Sequence, residues 1–218
     1  MRALKFIGII IVVAAMAAGG YYFGFRAGSA QAAAEPSGEA AETLQELSWK
    51  DLYAGVLRTY INPEYPDSGF AMFNIFDLDG DGSPELLVSD GDYHMASAQI
   101  FTLYRGAVYC LGSFGSNGEF QFDPETGHIY SEYSNLGVSR FSIHKIADGE
   151  LIDIASFYDT SGHFENPEDG SFVVNSEEVS EDEYNREREK YGNNPDDEFT
   201  VRKYSVNEDE IARVFANY

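Results

Sequence analysis

Apolar residues recur along this chain with two different periods. At Trp49, Leu52, Tyr53, Val56, Leu57 and Tyr60 they fall three and four apart, one stripe of an amphipathic helix that needs a partner surface. Ser48 with Asp51 has the form of a capping box and Leu47 with Leu52 that of a hydrophobic staple, while Pro63 and Pro66 act as stop signals. From Phe70 to about Thr160 the period becomes two, in short runs such as FAMFNIF, ELLVS, AQIFTLYRG, EFQF, HIYSEYS and SRFSIHKI, separated by turns bearing Gly or Asp. This pattern predicts antiparallel strands joined by tight turns. A helix is expected again after Ser180, capped with Glu183 and running to Gly192, and a last one after Asn207, with Ile211, Val214, Phe215 and Tyr218 on one face. Phe199 to Tyr204 reads as one more strand.

Two of the strand-like stretches resemble each other. GAVYCLGSF, Gly106 to Phe114, matches GELIDIASF, Gly149 to Phe157, at an offset of 43, and each follows another strand-like run. That period is the size of a β-propeller blade. Four blades would consume the folded region and leave no room for the helices, so the expected fold is mainly β (α+β): a blade-like antiparallel meander with flanking helices.

The amino-terminal pattern is of another kind. Phe6 to Phe25 are twenty uncharged, mostly apolar positions behind Arg2 and Lys5, closing in Tyr21, Tyr22, Phe23 and Phe25 ahead of Arg26. At about 1.5 Å per helical residue the run spans roughly 30 Å, one hydrocarbon core. It reads either as a membrane anchor, residues 1–26, or as a signal peptide cleaved after Ala30-Gln31-Ala32. Both readings put the rest of the chain outside the cytoplasm. Residues 27–41, rich in Ala, Ser, Gly and Gln, form a tether, and residues 42–218 the folded domain.

Charge narrows the partners. The chain carries 37 acidic against 14 basic residues, a formal charge of -23. Beyond Arg26 the balance is 11 minus 37, or -26. Such a surface neutralises neither a phosphate backbone nor an anionic bilayer, which excludes nucleic acid as a partner. A single cysteine, Cys110, closes no intrachain disulfide, and its place in an alternating run suggests a small core residue.

One motif carries specific chemistry. Asp77-Leu78-Asp79-Gly80-Asp81-Gly82-Ser83-Pro84-Glu85 sets carboxylates at positions one, three, five and nine of a loop. Calcium takes six to eight oxygens, and this spacing turns alternate side chains toward one point, with the Ser83 carbonyl at position seven. Four acids so close repel one another without a cation. The expected metal ligands are therefore Asp77, Asp79, Asp81, Ser83 and Glu85, and the expected ion is Ca²⁺. An EF-hand would need an acid at position twelve, where Val88 stands, and helices on both flanks.

At these residues the chain resembles the calcium loops of FG-GAP and VCBS-type repeats, D-x-D-x-D-G-x-x-D/E between two strands. The stretch from YAGVLRTY through FAMFNIFDLDGDGSPELLVSD to IFTLYRG is also similar to a group of exported bacterial proteins without assigned activity. The resemblance implies β-structure, calcium and an extracellular setting.

Other residues offer less. His94, His128, His144 and His163 stand in separate segments, and no nucleophile elbow, phosphate loop or dinucleotide fingerprint occurs. Asp90 and Asp92 read as a turn or as a second acidic cluster. Tyr130, Tyr133 and Tyr158 suggest an outer face able to stack on sugar rings. The expected protein is a membrane-tethered, extracytoplasmic calcium module that binds or senses a glycan or a surface protein. The alternative is a cell-wall or glycan hydrolase using a carboxylate pair.

Overall fold

A computed structural model describes residues 48–64, 70–162, 170–191 and 198–218. The apolar run Phe6–Phe25, the tether, the staple residue Leu47, Pro66, His163 and Gly192 lie outside these. Among the described residues no helix is long and apolar enough to cross a membrane. The order is α1 (Trp49–Arg58), β1 (Met72–Phe76), β2 (Glu85–Ser89), β3 (Ala98–Tyr104), β4 (Ala107–Phe114), β5 (Gln121–Asp123), β6 (His128–Asn135), β7 (Val138–Ala147), β8 (Glu150–Asp159), β9 (Phe172–Val174), β10 (Glu177–Val179), α2 (Glu181–Glu189), β11 (Tyr204–Ser205) and α3 (Glu208–Asn217). The mainly β, antiparallel expectation holds for these residues. Two sheets form, ordered β11-β1-β2-β3-β4 and β10-β9-β8-β7-β6-β5.

The offset of 43 seen in the sequence is an offset in structure. Leu86 pairs with Phe101 and Ile129 with His144; Phe101 pairs with Cys110 and His144 with Asp153. Each correspondence lies 43 positions on. The two outer hairpins share a β-bulge at the same place, leaving Leu111 and Ile154 as the extra residues. They also share a turn. Arg105-Gly106 and Asp148-Gly149 both have positive φ at two successive residues, the primed geometry whose twist matches the flanking strands. The domain therefore contains two equivalent four-stranded meanders, β1–β4 and β5–β8.

They stack head to tail. Leu87, Ala98, Ile100 and Phe114 of the first meander meet Phe122, Ile129 and Ile146 of the second in one buried cluster. The opposite face of the first, with Phe73, Ile75, Leu86, Val88 and Phe101, packs on Tyr53, Val56 and Leu57 of α1 and on Ile211, Val214 and Phe215 of α3. The opposite face of the second, with Tyr130, Phe141, Ile143 and Phe157, packs on Tyr184 of α2. Positions Leu87, Ala98 and Ile100, which face the neighbouring meander, correspond to Tyr130, Phe141 and Ile143, which face a helix. Each meander thus presents unlike front and back faces, as propeller blades do, and helices cover both ends.

Local signals acted mostly as expected. The Ser48 hydroxyl accepts from the Asp51 N–H while the Asp51 carboxylate accepts from the Ser48 N–H, completing the capping box. Ser180 and Asn207 cap α2 and α3. Three expectations need correction. The first helix ends at Arg58 with Thr59 as its cap, ahead of the prolines, because the Thr59 and Tyr60 N–H groups tighten onto the Val56 and Leu57 carbonyls. Of the Phe199–Tyr204 run only Tyr204 pairs as a strand, together with Ser205 beyond it, since Thr200 and Arg202 bond to side chains of other segments. Cys110 is exposed on edge strand β4 and is not a core residue.

Candidate metal centre

The acidic loop joins β1 to β2, whose five residues are all buried. Asp77 organises the turn: its Oδ1 accepts the Gly80 N–H at 2.8 Å and its Oδ2 the Gly82 N–H at 3.0 Å. Asp79 accepts from Asp81 at 3.1 Å, and Asp81 from Ser83 at 2.6 Å. Each short acid thus closes a side-chain-to-backbone turn, which curls the loop around its own carboxylates. Ligand oxygens of Asp77, Asp79 and Glu85 lie within 4.8 Å of one another. Asp81, expected in the same shell, is not among these three carboxylates.

Glu85 is the buried member, 2% exposed. Its Oε2 accepts the Leu78 N–H at 2.9 Å and its Oε1 the Thr102 hydroxyl at 3.1 Å. Burial, reinforced by the charges of Asp79 and Asp81, pushes its carboxyl up to about 7. Burial also raises Asp79, with Asp81 and Asp77 adding to it. Crowded, partly desolvated carboxylates are the arrangement a hard divalent cation relieves. Three such groups converging on one point fit calcium or another oxygen-seeking ion. The Tyr53 hydroxyl points at the Pro84 carbonyl, 3.0 Å away, and ties the loop to α1.

The second meander handles the same position differently. Eight residues separate the paired Phe76 and Glu85, but four separate the paired Asp123 and His128. His128 stands where Glu85 does, and Lys145 where Thr102 does. The Lys145 ammonium donates to the Thr126 carbonyl at 3.1 Å. The shorter turn is therefore closed by a side-chain cation.

The remaining polar residues have local duties. Asp90 accepts the Ser97 N–H at 3.0 Å, and Asp92 makes a two-toothed pair with Arg202 at 2.7 and 2.8 Å, so neither joins the acidic loop. Tyr130 is buried beneath Phe141. Tyr133 and Tyr158 lie on the other face, across from Arg140, so the three tyrosines do not form one surface. Sequence reading missed one constellation: His144 Nε2 lies 2.9 Å from Ser142 Oγ and its Nδ1 2.8 Å from Asp153. Ser142 sits mid-strand, and the Asp153 side chain is 84% exposed. These bonds satisfy both nitrogens of an imidazole packed edge-on against Phe114, a structural duty at the contact between the meanders. Only the alternation that puts residues 142 and 144 on one face hinted at it.

The three described histidines have separate surroundings. His94 stacks on Tyr133 and His128 sits edge-on to Tyr130. Comparison with known protein families, with curated proteins and with solved structures returned no match.

Proposed function

We propose that this chain is a membrane-tethered, extracytoplasmic calcium-binding module, in which the ion holds the fold and the domain binds or senses a partner without catalysis. The observation that carries this reading is the convergence of Asp77, Asp79 and Glu85 in a loop between two core strands. Lys145 supports a structural ion, because the equivalent turn in the second meander also has a cation, supplied by the chain. The apolar run Phe6–Phe25 behind Arg2 and Lys5 supports the tether.

Against the hydrolase alternative, Glu119, an acid lining the cleft beside His94 and Tyr130, spends its oxygens on the Thr200 hydroxyl and on the Val201 and Arg202 N–H groups. A general acid needs a free proton-donating oxygen.

Thermal melts of chelator-stripped protein test the ion. Extracellular calcium modules bind at roughly 10⁻⁴ to 10⁻³ M. A dissociation constant near 0.1 mM at about 1 mM calcium gives on the order of RT ln 11, about 1.4 kcal/mol. The melting temperature should therefore rise by a few degrees. Asp79→Ala should abolish the rise, whereas Glu187→Ala on α2 should keep it. Equal melting temperatures with and without calcium would refute the structural ion.

A further inference from the structure

We propose that the outer edge of β4 pairs antiparallel with the same edge of a second copy of this chain, joining two five-stranded sheets into one across a two-fold axis. The proposal is independent of the ion and of the amino-terminal run. An edge strand offers unpaired N–H and C=O groups to any other strand, and proteins blunt such edges with short strands or with charge. Among the described residues the two sheets end in β11, β4, β10 and β5. β11 has two residues, β5 has three, and β10 is three residues that include Glu177 and Glu178. β4 has eight, none of them charged or proline, and no described strand pairs with its outer side. It lies within Gly106–Gly118, thirteen positions without Asp, Glu, Lys, Arg or His in a chain of charge -23.

The second meander shows how the same edge is guarded when it is not used. Ala107, Tyr109 and Cys110 correspond to Glu150, Ile152 and Asp153, 43 positions on. Glu150 is exposed and the Asp153 side chain is 84% exposed, so the uncovered half of β8 carries two charges. The other half is covered: the Asn175 side chain accepts the Ser156 N–H, and β9 pairs with Phe157 to Asp159. β4 has neither device. The charges that would repel an incoming strand are present in one copy of the hairpin and missing from the other.

A second copy is the occupant because the edge is complementary to itself. Tyr109 and Gly112 pair with Thr102 and Ile100, two apart on β3, so they share one face of the sheet. Tyr109 is 48% exposed and stands edge-on to Tyr104, whereas Gly112 has no side chain to shield its strand. Antiparallel pairing about an axis between them lays Tyr109 of each copy beside Gly112 of the other, a large ring over a vacant position on both sides of the axis. Val108 and Leu111, each partly buried on one of the two clusters that flank this sheet, gain cover at the same seam. An uncharged seam is also where two chains of like charge approach at least electrostatic cost.

The test is sedimentation velocity of the full chain in detergent, under reducing conditions, from micromolar to sub-millimolar concentration. Wild type should pass from monomer to dimer. The axis falls beside Cys110, which is exposed, so a short bismaleimide should join two copies through that one thiol. Ala107→Glu combined with Cys110→Asp, which copies the edge of the second meander, should raise the dissociation constant by about tenfold or more. Tyr109→Lys should weaken the dimer likewise and lose the crosslink, whereas Ile152→Glu on β8 should change neither readout. Dilute samples of all variants should melt at the wild-type temperature; if the double variant does not, Tyr109→Lys decides. The inference is overturned if wild type stays monomeric, if the dimer survives the edge variants, or if it forms without crosslinking at Cys110. A monomer whose thiol resists maleimide would place the chain's own residues 27–47 on the edge, and one whose thiol reacts freely would leave the edge open; both overturn the pairing. Loss of the dimer would leave the calcium melts unchanged, so the two readings fail separately.

Discussion

At the scale of single residues, the duplicated hairpin supplies its own control. Gly106 and Gly149 occupy the same turn position with φ of 77° and 72°. A Cβ at Gly106 meets nothing within 4 Å, whereas at Gly149 it would lie 2.5 Å from Tyr104 Cγ and 2.7 Å from its Cβ. Gly106→Ala should therefore cost only the left-handed strain, about 1–2 kcal/mol. Gly149→Ala should cost at least about 1 kcal/mol more, because the tyrosine it strikes must move from its place. Urea midpoints of the two variants measure the difference. The acidic loop was legible for a related reason: Asp77, Asp79 and Asp81 stand two apart and Glu85 four further on, in one short segment whose spacing alone brings them near one another. Glu119, Arg202 and the cleft lining were not, since they come from strands and loops scattered along the chain, and the register that joins them is a tertiary fact. Asp81 was expected on spacing as well; its Oδ1 accepts the Ser83 N–H in the turn bonds that shape the loop.

At the scale of elements, capping chemistry was legible because it is local. Removing it with Ser48→Ala should cost about 1 kcal/mol, read as a lower denaturant midpoint with an unchanged slope. The helix would survive, since Tyr53, Val56 and Leu57 are held by the sheet beneath. Period-two runs located β1 to β8, but β9 and β10 were missed. Their signal was present in Phe172 to Val179, where Asn175 and Ser176 both take positive φ and turn the hairpin. It was short and lay beside charged residues, so the alternation was weak. Conversely, Phe199 to Tyr204 has apolar spacing but little ladder. Its buried Val201 is held by the Glu119 carboxylate accepting the Val201 N–H at 2.8 Å, a bond that no strand pattern encodes.

At the scale of the whole domain, the shared cluster between the meanders couples them. Leu87, Ile100 and Phe114 on one side and Phe122, Ile129 and Ile146 on the other would all be exposed if either meander opened. Unfolding should then be a single transition. The one tryptophan, Trp49, sits on α1 among Tyr53, Phe215 and Tyr218, far along the stack from β8. Its fluorescence and the far-ultraviolet dichroism of the strands should give the same urea midpoint; a separate second transition would contradict the coupling.

Head-to-tail stacking of units with unlike faces has no natural end. In the vocabulary of polymers, each meander is a bifunctional monomer, and front-to-back addition between molecules would extend into a fibre, because a heterologous contact that does not close propagates. Here α1 with α3 acts as a terminator at one end of the stack and α2 at the other. Neither helical group needs to know how many units lie between them. The architecture is therefore extensible by insertion: a further 43-residue unit spliced between β8 and α2 would meet the same front face and offer the same back face. Chain length, rather than any change at the ends, would set how many meanders the stack contains.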